Sequence, residues 1–315
     1  FNAVSGYASE NEITQISLNT FVSSIDVVGA FAKKADDVEF SSIQTGFDNP
    51  LQPEGIHSFN YGSAYTQLQM SNVPAVHDLG FNGTGVSICV MDAGFDNLPH
   101  IAFSNMNIIA KWDFVNGDPN VGNQGDMGEG SHGTATLSLI GGFQEGEMIG
   151  PAFGSTYILA KTENTDSETP VEEDNWVAAL EWADSIGVDV TSTSLGYLDY
   201  ESPFTSYTWQ DMDGNTALIT RAGDLAVGRG IVVVNSAGNN YDDPTHNTLG
   251  APADGDSIFA VGSVNSSGLR SSFSSVGPTF DGRIKPDFMA QGSNDYHASS
   301  FGNSYSFGSG TSFSC

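Results

Sequence analysis

Residues 169–196 read TPVEEDNWVAALEWADSIGVDVTSTSLG, and the pattern changes half-way along. Trp176, Leu180 and Ala183 recur four and three residues apart, the spacing of one helix face. Thr169 is a capping residue, Pro170 fits the first helical position, and Glu172 stands where a capping box takes a carboxylate. Gly187 supplies the stop. Beyond it VDVTSTSLG reads as a strand. A helix that passes straight into a strand is half of a βαβ unit.

The same alternation extends in both directions. GVSICVMD (85–92), STYILAKT (155–162), IVVVNSAGN (231–239) and SIFAVGSV (257–264) are compact apolar runs of strand type, and ALITRAGDLAVGRG (217–230) is helical with a glycine stop. Strands alternating with helices predict a parallel sheet covered on both faces, an α/β architecture. In such sheets ligands gather at the carboxyl ends of the strands. That rule selects Asp92, Ser194–Gly196 and Ser236–Asn239.

The first residues differ. FNAVSGYA and FVSSIDVVGAF read as strands, and SENEITQISL between them as a helix with its own capping box, Ser9 with Glu12. Residues 33–62 carry Lys33, Lys34, Pro50, Pro53 and several glycines, the composition of a linker. The reading is a small α/β piece over 1–34, a connector over 35–62 with a processing region, and a large α/β domain over 63–315.

Composition removes whole classes of function. Asp and Glu number 38 against 9 Lys and Arg, a net charge of −29, which repels nucleic acid and anionic membranes. Charged residues are only 15% of the chain and glycine and serine are abundant, so this is not a disordered acidic tail. No apolar run is long enough for a membrane span. Cys89 and Cys315 have no metal-ligand spacing, and Cys89 lies in the apolar run VSICVM, where a small buried hydrophobe is the simpler reading.

Three short motifs remain: VMDAGFD with Asp92, GSHGTATLSLIGG with His132 and GSGTSFSC with Ser312. Taken singly, Asp92 is as readily a turn cap, His132 a structural histidine and Ser312 a helix cap. Together they supply what serine nucleophilic catalysis needs: a hydroxyl, a base to take its proton, and a carboxylate to fix the base's tautomer. Asp, His, Ser is one of the three chain orders of that triad. An α/β-hydrolase would need a G-x-S-x-G elbow and the order Ser, Asp, His, and GTSFS does not fit it.

Asp92-Ala93-Gly94, His132-Gly133-Thr134 and Gly310-Thr311-Ser312 resemble the signature motifs of the subtilisin-like serine proteases. NSAGNN resembles the loop that carries that family's oxyanion-hole asparagine, here Asn239, with Ala237 and Gly238 beside it as substrate-binding residues. STSLG is similar to the substrate-binding edge, at Ser194, Leu195 and Gly196, and SSFSSVGP and KPDFMAQG match further landmarks in order. Ala93 stands where serine or threonine is commoner, and Gln291 where proline is usual. In the family more chain follows the serine, so the sequence is expected to continue beyond Cys315.

The resemblance implies a three-layer subtilisin-like fold, mostly parallel, and a secreted or cell-surface serine endopeptidase. It would act as a monomer on polypeptides through an acyl-enzyme, with no cofactor for the chemistry. Structural calcium is compatible with it, with no ligands assigned. Residues 1–34 resemble the C-terminal part of a propeptide that acts as chaperone and inhibitor, making the protein a zymogen. The alternative is a catalytically inactive module of the same fold, used for binding or adhesion; such a module would be expected to have lost a triad or oxyanion residue.

Overall fold

The computed structural model describes residues 4–28 and 55–315. Its centre is a seven-stranded sheet in the order β2-β5-β1-β6-β7-β8-β9, every neighbouring pair parallel. The strands are β1 Ser87–Asp92, β2 Asn107–Asp113, β5 Thr156–Lys161, β6 Val190–Thr193, β7 Val232–Ser236, β8 Phe259–Val264 and β9 Phe288–Gln291. β3 Phe143–Gln144 and β4 Met148–Ile149 form a small hairpin, and β10 Ser293–Ala298 pairs antiparallel with β11 Tyr305–Ser309.

The two-residue period of the strands divides the core. Ile88 and Val90 of β1, with Tyr157 and Leu159 of β5, pack in one apolar cluster with Leu137 of α4 (His132–Gly141). Cys89, Met91, Ile158 and Ala160 point the other way, into a cluster with α5 (Val171–Ile186) and α6 (Leu218–Gly228). Helices therefore cover both faces, and the α/β reading holds. Trp176 is fully buried and donates its indole N–H to Thr193 Oγ1 at 3.2 Å, tying α5 to the carboxyl end of β6. Burying such a side chain contributes about 1.5–3 kcal/mol, so α5 fixes the height of that strand end.

The caps of α5 differ in detail from the expectation. Gly187 ends it in the left-handed conformation, φ +86°, as predicted. At the start, Pro170 lies just outside the helix, and the capping box is one-sided: Glu172 Oε2 accepts from the N–H and the hydroxyl of Thr169 at 2.7 and 3.1 Å. Cys89 is buried among apolar side chains, as its sequence context implied.

A third aromatic cluster around Tyr61 anchors the start of the domain through α2 (Tyr65–Met70) and α3 (Val73–Asp78). His57 Nδ1 and Asp78 Oδ2 lie 2.7 Å apart and strap residues 55–62 onto it. The N-terminal piece is a correction. α1 (Glu10–Ser17) forms with the predicted Ser9–Glu12 capping box, but no strand forms within 4–8 or 21–28. A strand exists only by pairing, and among the described residues no strand pairs with these segments, so β-type side chains alone do not make one. Residues 29–54, most of the proposed linker, lie outside the described residues.

Candidate active site

β1 ends on Asp92, and the chain turns at once. Gly94 sits at φ +139°, and a β-carbon there would lie 2.6 Å from the Gly130 carbonyl oxygen. A β-carbon on Gly133 would meet Gly94 O at 2.6 Å and the Phe95 ring at 2.8 Å. The glycines of the two motifs are thus what lets the β1 turn and the start of α4 close together. The result is His132 Nδ1 2.7 Å from Asp92 Oδ1. Asp92 is fully buried, and its oxygens also accept from the Ala93 N–H at 2.7 Å and the Thr136 hydroxyl at 2.8 Å.

With a carboxylate on Nδ1, that nitrogen carries the proton and Nε2 is left as the basic lone pair. Burial pulls the imidazole's pKa down, but the charge of Asp92 and its hydrogen bond outweigh this and hold it above the ordinary 6.5.

Ser312 is the second residue of α7 (Thr311–Ser314), next to Phe313, whose ring centroid lies 6.4 Å from that of His132. Its hydroxyl does not bond the histidine. Ser312 Oγ donates to the Ser194 carbonyl at 3.1 Å, and Ser194 Oγ donates back to the Ser312 carbonyl at 3.1 Å. Asn239 follows the β7 exit, and its Oδ1 accepts from the Thr311 N–H and hydroxyl at 2.9 and 3.0 Å, which leaves Nδ2 as the free donor end of the amide. Gly238 N–H donates to Thr311 Oγ1 at 3.3 Å.

Ser194, Leu195 and Gly196 leave β6 alongside. Leu195 O accepts from Asn235 Nδ2 at 2.9 Å, and Gly196 is exposed. The nine residues singled out from sequence thus lie at the carboxyl ends of β1, β6 and β7, at the start of α4, and at α7. The contact that is not made is His132 to Ser312.

Several neighbours escaped the sequence reading. Thr136 is one turn beyond His132, a four-residue spacing inside GSHGTATL that could have flagged it. His297, on β10, packs tilted against Phe313 with ring centroids 5.1 Å apart and donates Nδ1–H to the Ala298 carbonyl at 2.9 Å; burial lowers its pKa, opposite to His132. Among the described residues no group of three or more His, Cys, Asp or Glu side chains is placed to hold a metal ion. Nor is any helix long and apolar enough to cross a membrane.

Comparison with known proteins settles the family. Residues 83–315 match the model of the subtilase family, peptidase S8. The chain belongs to the subtilase family. It is 32% identical over 215 residues to subtilisin NAT of Bacillus subtilis subsp. natto, covering 68% of this chain and 50% of that one. With the subtilisin of Bacillus pumilus it shares 32% over 216 residues, covering 68% and 69%. A cold-adapted subtilisin-like serine proteinase superposes with a TM-score of 0.55 at 26% identity, covering 74% of this chain and 72% of that one. The chain spans about half the length of the first of these relatives. Both the family and the three-layer fold expected from sequence are borne out.

Proposed function

We propose that this subtilase is a serine endopeptidase that cleaves polypeptides through Asp92, His132 and Ser312. The observation that carries the reading is the buried Asp92–His132 bond at 2.7 Å, which leaves Nε2 as the basic nitrogen of an imidazole whose centroid is 6.4 Å from that of the Phe313 ring of α7. Substrate arrival would turn the Ser312 hydroxyl from the Ser194 carbonyl to Nε2; resting sites often hold such bonds loosely. The oxygen then attacks the scissile carbonyl carbon while its proton passes to His132, whose positive charge Asp92 stabilises. The Asn239 amide N–H and the Ser312 backbone N–H receive the oxyanion.

Collapse breaks the C–N bond, and His132 returns its proton to the leaving amine. Water, deprotonated by the same histidine, hydrolyses the acyl-enzyme and frees Ser312. Ser194–Gly196, with Ala237 and Gly238 opposite, would take the substrate main chain as an added strand, which tolerates many side chains. No step needs a cofactor. The same reading includes secretion or surface display, with the segment around α1 (Glu10–Ser17) as the end of a cleaved inhibitory propeptide.

The test is peptide hydrolysis by the full-length protein beside Ser312→Ala. A loss of kcat on the order of 10⁶ is expected. Undiminished hydrolysis in the variant, or none in the processed parent, contradicts the proposal.

A further inference from the structure

The segment that leaves β6 is held at its far end by a side chain that no motif marks. Tyr197 follows Gly196 directly. Its main chain is bonded both ways to Ala251, at 2.9 and 3.0 Å, and its phenol runs inward, 2% exposed. There Tyr197 OH donates to Glu163 Oε2 at 2.8 Å. Glu163 is itself buried, 8% exposed, two residues beyond Lys161, the β5 residue that stands in register with Asp92. The bond therefore runs from the exit of β5 to the end of the substrate-binding edge.

Glu163 sits among acids. Glu168 and Glu172, from the loop before α5 and its first turn, face it from one side, and Asp92 from β1. Asp199 and Glu201, just beyond Tyr197, in turn face Glu168. The nearest cation along the chain, Lys161, is paired with Asp113 at 2.9 Å. Burial, and then these like charges, push the pKa of the Glu163 carboxyl well above the usual carboxylate range. Burial likewise pushes Glu168 and Glu172 up to about 7.

We propose that Glu163 and Tyr197 are a positioning pair for the substrate-binding edge, setting how tightly Ser194–Gly196 takes up an extended peptide without touching the reacting atoms. This rests on the serine peptidase reading above. Because the acids that crowd the pair belong to the two segments it joins, raising the pH through about 7 charges Glu168 and Glu172 against each other and Glu168 against Asp199 and Glu201. The edge then loosens, and KM rises with pH while kcat does not fall with it.

The experiment uses full-length protein, with active sites counted by fluorophosphonate titration so that a poorly folding variant still returns a KM. Tyr197→Phe is expected to raise KM for a tetrapeptide anilide about ten-fold, the worth of one buried hydrogen bond, with kcat unchanged. Hydrolysis of a single-residue ester, too short to pair along the edge as an added strand, stays as in the parent. Glu163→Gln keeps an acceptor for the phenol and is expected to stay within about two-fold of the parent KM at pH 6. Tyr197→Phe with unchanged tetrapeptide KM overturns the proposal, as does an equal loss on ester and tetrapeptide. A parent that folds but takes no label at Ser312 overturns the peptidase reading instead.

Discussion

Two carboxyl groups lie buried at the ends of neighbouring strands, Asp92 closing β1 and Glu163 just after β5, and they are surrounded in opposite ways. Asp92 accepts from a backbone N–H, a threonine hydroxyl and an imidazole. Glu163 is given one phenol and a ring of other acids. Burial is common to both; the difference lies in what the rest of the fold brings to each. Donors, one of them able to become a cation, suit a carboxylate that must answer a charge appearing on His132. Acids around a single donor raise the pKa of a carboxyl and suit one that holds a shape rather than answers a charge.

The sharpest way to break this contrast is to make the same change twice. Asp92→Asn keeps size and removes the charge that fixes the histidine tautomer, and kcat is expected to fall about 10⁴-fold. Glu163→Gln, measured in the same assay at pH 6, is expected to leave kcat essentially as it was. Similar losses at both positions would erase the distinction.

A smaller effect belongs to Asn239, whose amide is oriented by Thr311 through Oδ1. Asn239→Ala is expected to lower kcat by about 10²–10³ and leave KM little changed, read from steady-state kinetics. A KM effect alone would make the residue part of the substrate wall.

The smallest effect is a shift along the pH axis. Because the His132 pKa is held above 6.5, the basic form needed for catalysis is lost as pH falls through that raised value. The acidic limb of kcat/KM is therefore expected above pH 6.5. The stabilisation that His132 gains as imidazolium beside Asp92 has the matching sign: it is present below pH 6.5 and lost as pH rises through the folded value. With a net charge of −29, salt should also screen part of the surrounding negative field and move the limb to lower pH, whereas the buried Asp92 contact is screened much less. Profiles at low and high ionic strength separate the two; superimposable limbs would leave Asp92 as the whole cause.

How much of this was legible in the sequence follows from how local each feature is. β1, β5 and β8 are contiguous apolar runs because both faces of a parallel sheet are covered, and that signal survives in one dimension. α5 carries its face and its glycine stop within 20 residues of text, and Asp92, His132 and Ser312 each sit in a short motif. β2 was missed because it is an edge strand, largely exposed and shifted in register between Ile108 and Ala110, so NIIAKWD has no clean period. The strands expected at the chain's start do not form over the described residues 4–8 and 21–28 for the opposite reason, strand-like side chains with no strand beside them to pair with. The Glu163–Tyr197 bond joins residues 34 apart in sequence and has no local pattern at all.

The most direct test of the central claim is covalent labelling of the full-length, processed protein with a fluorophosphonate, the modified residue mapped by mass spectrometry. The account predicts a single adduct on Ser312, absent from Ser312→Ala and slowed in Asp92→Asn. A folded protein that takes no label, or takes it on another serine, would contradict it.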